Sequence, residues 1–234
     1  VSGTTTGSGT GKAYTGSVNT DAGFSIIRHL GNDTAGHTIP HHLGAVPKMI
    51  IGHGVSGSDA TSWTVYHHTL GNTHTISLNE TGAAVDSAVW NDTTPTSSVI
   101  SLGSSGNVND ADDAFILYSF AEKQGYSKIS SYIGNGNADG TFVYTGFKPA
   151  FVIRKVTDAS SDWIMQDNKR SESGGSNQIR NYLFPNSNQA EVSNQDYFNI
   201  DFLSNGFKMR STDGGANGSG SSYIYMAFAE NPFV

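Results

Sequence analysis

Residues 115–122 read Phe-Ile-Leu-Tyr-Ser-Phe-Ala-Glu, and residues 223–230 read Tyr-Ile-Tyr-Met-Ala-Phe-Ala-Glu. Both are apolar at almost every position. A run this short and this apolar is a strand covered on both faces, the kind found at the centre of a sheet. The two runs also match each other, and the match extends outward. Gly23-Phe24-Ser25 returns as Gly125-Tyr126-Ser127, Pro47-Lys48-Met49-Ile50-Ile51 as Pro149-Ala150-Phe151-Val152-Ile153, and Trp63 as Trp163. Copies in the same order at a nearly constant offset are diverged repeats. The sequence therefore predicts an all-β fold of two tandem, closely packed, jelly-roll-like β-sandwich repeats, residues 23–124 and 125–234, with a pseudo-twofold relation. Lys123-Gln124-Gly125 between them reads as a hairpin loop.

Shorter β-prone runs fill the copies: Phe24-Ser25-Ile26-Ile27, Met49-Ile50-Ile51, Trp63-Thr64-Val65-Tyr66 and Ser98-Val99-Ile100-Ser101. Clusters of Gly, Asn, Asp and Ser punctuate them. Composition agrees. Gly is 28 of 234 residues, only 14% are charged, and 12 Phe, 10 Tyr and 3 Trp are enough to build a core. Gly, Ser, Thr and Asn are poor helix formers, so little helix is expected beyond a turn near residues 82–89. Residues 1–22, rich in Gly, Ser and Thr, read as a linker tethered to something upstream.

The longer phrases carry a resemblance. Gly23-Phe24-Ser25-Ile26, the segment His42-Leu43-Gly44 through Ile51, Trp63-Thr64-Val65-Tyr66-His67, Tyr144-Thr145-Gly146-Phe147-Lys148-Pro149-Ala150, Ile200-Asp201-Phe202-Leu203-Ser204-Asn205-Gly206-Phe207-Lys208 and the closing 223–233 stretch resemble a domain of bacteriophage tail-fibre and other virion structural proteins, common in marine and freshwater phages including cyanophages. The resemblance covers residues 13–234. It implies a non-enzymatic virion component on the phage tail or particle surface, extracellular after release. Its expected partners are other virion subunits and a host surface glycan, and its expected assembly is a homo-oligomer, a trimer. The runner-up is a purely architectural subunit, a capsid decoration protein or extracellular filament; a glycan-degrading enzyme comes third. No binding residue carries over from the resemblance.

Charge and motifs narrow the chemistry. A net charge of −7 with 13 Lys and Arg argues against a nucleic-acid backbone as partner, and no apolar run approaches the roughly 20 residues of a membrane-spanning helix. Cysteine is absent, which excludes disulfides and thiolate sites. Gly9-Thr10-Gly11-Lys12 fails as a phosphate loop, since Thr6 and Ala13 stand where Gly and Ser or Thr are needed. The sequons at Asn32, Asn79, Asn91 and Asn217 are expected by chance in an Asn- and Thr-rich chain.

No catalytic set emerges, and Glu80, Glu122, Glu172, Glu191 and Glu230 are scattered. All eight histidines lie between His29 and His74. Imidazole suits transition metals, which makes His41, His42, His67 and His68 candidate ligands, against a plain reading as exposed strand and loop residues. Asp110, Asp112 and Asp113 are candidate Ca²⁺ ligands, against a solvated turn. These two metals are the only cofactors the residues suggest. Aromatic rings can stack on sugars: Trp90, which has no counterpart in the second copy, and Tyr132 are the candidate platforms, while Trp63 and Trp163 read as core anchors.

Overall fold

The computed structural model describes residues 1–57, 62–170 and 177–232. It is all-β, with 43% of residues in strands and 3% in helix. The chain divides into two units. Unit 1 comprises Val1–Leu78 with Ala84–Glu122, and unit 2 comprises Asn79–Ala83 with Lys123–Val234.

Unit 1 holds β1 (Ser2–Thr4), β2 (Thr6–Gly7), β3 (Ala13–Asn19), β4 (Phe24–Leu30), β5 (His37–Pro40), β6 (Met49–Gly54), β7 (Thr64–His67), β8 (His74–Ser77), β9 (Val85–Asp86), β10 (Val99–Leu102) and β11 (Ala114–Phe120). One sheet runs β1-β3-β4-β11-β6-β7-β8-β9, the other β10-β5-β2, and every pair is antiparallel. The apolar strand β11 lies between β4 and β6, as its sequence predicts. Ile27, Ile50, Tyr66 and Leu117 from the first sheet meet Ile39, Ile100 and Leu102 from the second. Alternation along each strand puts these side chains on one face.

Unit 2 holds β12 (Ser127–Ile133), β13 (Phe142–Tyr144), β14 (Pro149–Val156), β15 (Ile164–Asp167), β16 (Gln178–Ile179), β17 (Ile200–Leu203), β18 (Gly206–Met209) and β19 (Ser222–Ala229). Its sheets run β12-β19-β14-β15 and β13-β18-β17-β16. Tyr132, Val152, Tyr225 and Ala227 pack against Val143, Ile200, Phe202 and Phe207 between them. The order β12-β19-β14-β15 repeats β4-β11-β6-β7, and β13 beside β18 repeats β5 beside β10.

Three expectations are corrected. Residues 1–22 are not a linker: β3 pairs with β4 over six residues and β2 pairs with β5. Thr5 is buried, and its hydroxyl accepts the Lys12 N–H at 2.8 Å while meeting His37 Nε2 at 2.6 Å. Such a segment is held by main-chain bonds, so it needs few apolar side chains. Residues 123–125 are not a hairpin, because β11 already has β4 and β6 on its two sides and β12 pairs with β19. The units divide after Glu122, two residues before the expected boundary at 124, and residues 79–83 group with unit 2. There the Thr81 carbonyl accepts from Ser161 N–H at 2.9 Å and from the buried Lys155 ammonium at 3.1 Å.

Candidate functional site

The histidines and aspartates do not converge. His41 is buried, its Nδ1 accepting from Leu43 N–H at 3.2 Å and its Nε2 lying 3.1 Å from the Thr96 carbonyl. His42 meets Tyr14 Oη at 2.9 Å. His67 is buried and lies 2.9 Å from Thr69 Oγ1, with the His68 ring stacked on it at 5.2 Å. Far from being exposed, His29, His37, His41 and His67 are core residues. Burial pushes His29 down to about 3 and lowers His37 and His41, because imidazolium loses its hydration there.

The acids serve turns. Asp110 accepts from Ala111 N–H at 3.0 Å, and Asp112 pairs with Lys12 at 2.5 Å. Among the described residues, no three His, Asp or Glu side chains form a group that could hold a metal ion. Glu172 lies outside the described residues.

The two candidate sugar platforms are also core. Trp90 is fully buried, set edge-on to Tyr66 at 5.9 Å. Among the described residues the second sheet of unit 1 has three strands, and the 3₁₀ turn Ala88–Trp90 turns Val89 and Trp90 into the same core. Tyr132 stacks on Tyr223 at 4.7 Å and donates its hydroxyl to the Ala216 carbonyl at 2.7 Å. Trp163 is a core anchor as expected, whereas Trp63 is half-buried, stacked between His53 at 4.3 Å and Tyr118 at 6.2 Å.

A different place has the shape of a binding site. Unit 2 carries a groove of about 690 Å³, within the range of ligand sites, lined by the loops that follow β16 and β18 and by the loop that precedes β17. Tyr197, 63% exposed, stands on its rim. Beside it are Arg180, whose guanidinium meets Asp196 at 3.0 Å, and Arg210, which donates to Asp201 at 2.6 Å and to Asp139 at 3.1 Å. Lys208 also bonds Asp139, at 2.6 Å, and holds that carboxyl below its ordinary range together with Arg210.

The Tyr197 loop is pinned from beneath. The Phe198 ring packs edge-on against Tyr182 and Phe184, and its carbonyl accepts from the buried Arg154 guanidinium at 3.0 Å. Ser211 Oγ donates to the Tyr197 carbonyl. Among the described residues Arg154 has no acid as a hydrogen-bond partner, and its Nη1 donates to Gln166 Oε1 at 2.6 Å. Burial lowers its pKa.

Sequence reasoning missed this groove. The run Ser193-Asn194-Gln195-Asp196-Tyr197, dense in amide and acid side chains and closed by an aromatic residue, was the available signal.

Residues 2–232 match the model of a family described as a domain of unknown function, DUF7483. The chain belongs to that family. No curated protein and no solved structure matches it. Membership in the DUF7483 family thus covers both units and the groove, and brings no activity with it.

Proposed function

We propose that the chain is a non-enzymatic structural module of a bacteriophage virion, a tail-fibre or receptor-binding module that recognises host surface glycan through the unit 2 groove. The observation that carries this reading is the groove itself. An exposed tyrosine stands at the edge of an open groove lined mostly by residues with polar or charged ends, among them Arg180, Asn194, Gln195 and Arg210. A sugar presents apolar C–H faces and a ring of hydroxyls, and an aromatic ring with adjacent amides, carboxylates and guanidinium groups answers both. Two arginines already neutralised by aspartates suit an uncharged saccharide. Weak single contacts gain strength when several copies are displayed together. The phage assignment rests on the sequence phrases that resemble virion proteins.

Binding of the purified chain to a bacterial surface-glycan array tests the reading. Retention that falls at least tenfold in Tyr197→Ala supports it. Absence of binding across the array, or binding indifferent to Tyr197, overturns it. Release of soluble sugar during incubation would indicate an enzyme instead.

A further inference from the structure

Strand β13 is an edge that invites a partner. Among the described residues it pairs only with β18, in the register Phe142↔Lys208, Val143↔Phe207 and Tyr144↔Gly206. The flanking bonds Met209 N–H to Thr141 O and Thr145 N–H to Asn205 O show which residues face β18. They are 141, 143 and 145, so by the alternation of an antiparallel ladder the N–H and C=O of Phe142 and Tyr144 point outward. Their side chains are exposed too, at 43% and 64%, while Val143 enters the core.

The corresponding strand of unit 1 shows what such an edge does when its own chain covers it. There β5, paired with β10 as β13 is with β18, takes β2 on its other side, and Thr6 Oγ1 meets Thr38 Oγ1 at 2.8 Å. Its outward positions are Thr38 and Pro40, not aromatic. Among the described residues of unit 2 no strand covers this edge, and it carries two aromatic rings. An exposed apolar edge strand is normally blunted by charge or covered. A thread of Gly and Thr like β2 would pair with this backbone but leave both rings in water.

We infer that β13 docks against β13 of a second copy of this chain. The register is self-complementary. With the dyad at Val143, Phe142 of each copy faces Tyr144 of the other, the outward N–H and C=O groups of both residues exchange hydrogen bonds, and two aromatic pairs form on the exposed face. The four-strand sheet becomes eight strands across the dyad. An isologous contact of this kind closes at two copies. It stands apart from the glycan groove and does not depend on it.

Analytical ultracentrifugation of the full chain, with hydrogen exchange read over residues 141–145, tests this. The expected species has twice the 24.8 kDa of one chain, with the Phe142 and Tyr144 amides protected. Tyr144→Pro removes an outward N–H and leaves the β18 ladder intact, and should weaken association at least tenfold. Phe142→Thr with Tyr144→Thr keeps a strand-forming sequence, removes the aromatic pairs and should do the same. A monomer at tens of micromolar would overturn the inference. So would a dimer or trimer that both variants leave unchanged.

Discussion

Asn109 in unit 1 and Asn217 in unit 2 occupy matching places, each fully buried, and each uses both ends of its amide to hold a loop closed. Asn109 Oδ1 accepts from Asn32 N–H at 3.0 Å, and its Nδ2 donates to the carbonyls of Thr34 and Gly103. Asn217 Oδ1 accepts from Asn135 N–H at 3.0 Å, and its Nδ2 lies 2.9 Å from the carbonyls of Asn137 and Ser211. In each unit a glycine precedes the bonded amide. A Cβ on Gly31 would lie 2.0 Å from the Asp110 carbonyl oxygen, and one on Gly134 would lie 2.2 Å from that of Gly218.

Replacing either asparagine should be costly. Alanine strands several buried donors and acceptors, each worth about 1–3 kcal/mol, so Asn109→Ala and Asn217→Ala should each lose about 2–4 kcal/mol in urea unfolding. Aspartate keeps the shape but turns a carboxylate toward carbonyl oxygens. Asn217→Asp should therefore be no better than Asn217→Ala. An aspartate variant as stable as the wild type would refute the role given to the Nδ2 donors.

Acid should loosen unit 1 before unit 2. All eight histidines lie in unit 1, and His29, His37 and His41 are held below their ordinary range by burial. A folded-state value below the unfolded one means that the unfolded chain binds more protons. The stability these neutral rings contribute is fully present above about pH 6.5 and declines as pH falls, down to about 3 for His29. Hydrogen exchange corrected for its intrinsic pH dependence should show unit 1 amides losing protection between pH 7 and 4.5 while unit 2 amides keep theirs. Equal loss in both units would contradict the assignment.

Thr5 should matter although it sits in a stretch that composition marks as a linker. Its hydroxyl lies between Lys12 N–H and His37 Nε2, and His37 Nδ1 continues to Asn109 Oδ1 at 2.7 Å. This chain ties the N-terminal strands to the core. Thr5→Val keeps the volume, removes the hydroxyl and should cost about 1–3 kcal/mol, measured by thermal or urea unfolding. A change within experimental error would show that the hydroxyl relay adds nothing to the main-chain pairing of β1 and β2.

These cases separate what was legible in the sequence from what was not. The apolar runs at β11 and β19 declared themselves, because a central strand must be apolar on both faces. An edge-covering strand such as β2 carries no such mark, since its bonds are main-chain bonds and any side chain permits them. Trp90 looked superficial because the second copy lacks it, yet a short turn can bury a ring as well as a strand can. The groove was invisible for another reason. Arg180, Tyr197 and Arg210 are distant in sequence and meet only through the loops after β16 and β18 and before β17.

Arg154 offers a way to separate the shape of that groove from its lining. The residue lies in the core beneath the site, donating to Gln166 and to the Phe198 carbonyl. Replacing it with methionine relieves the desolvation of the charge and leaves the Gln166 and Phe198 acceptors unpaired at a cost of about 1–3 kcal/mol each, less than the stability of a typical domain. Arg154→Met should therefore leave unit 2 folded while freeing the Phe198 carbonyl and, with it, the backbone that carries Tyr197. Glycan retention should fall at least severalfold with every lining side chain still present, and exchange at residues 195–199 should quicken. Were retention and exchange both unaltered, Arg154 would be filling space only, and the Tyr197 loop would owe its position to the Phe198 ring and the Ser211 hydroxyl.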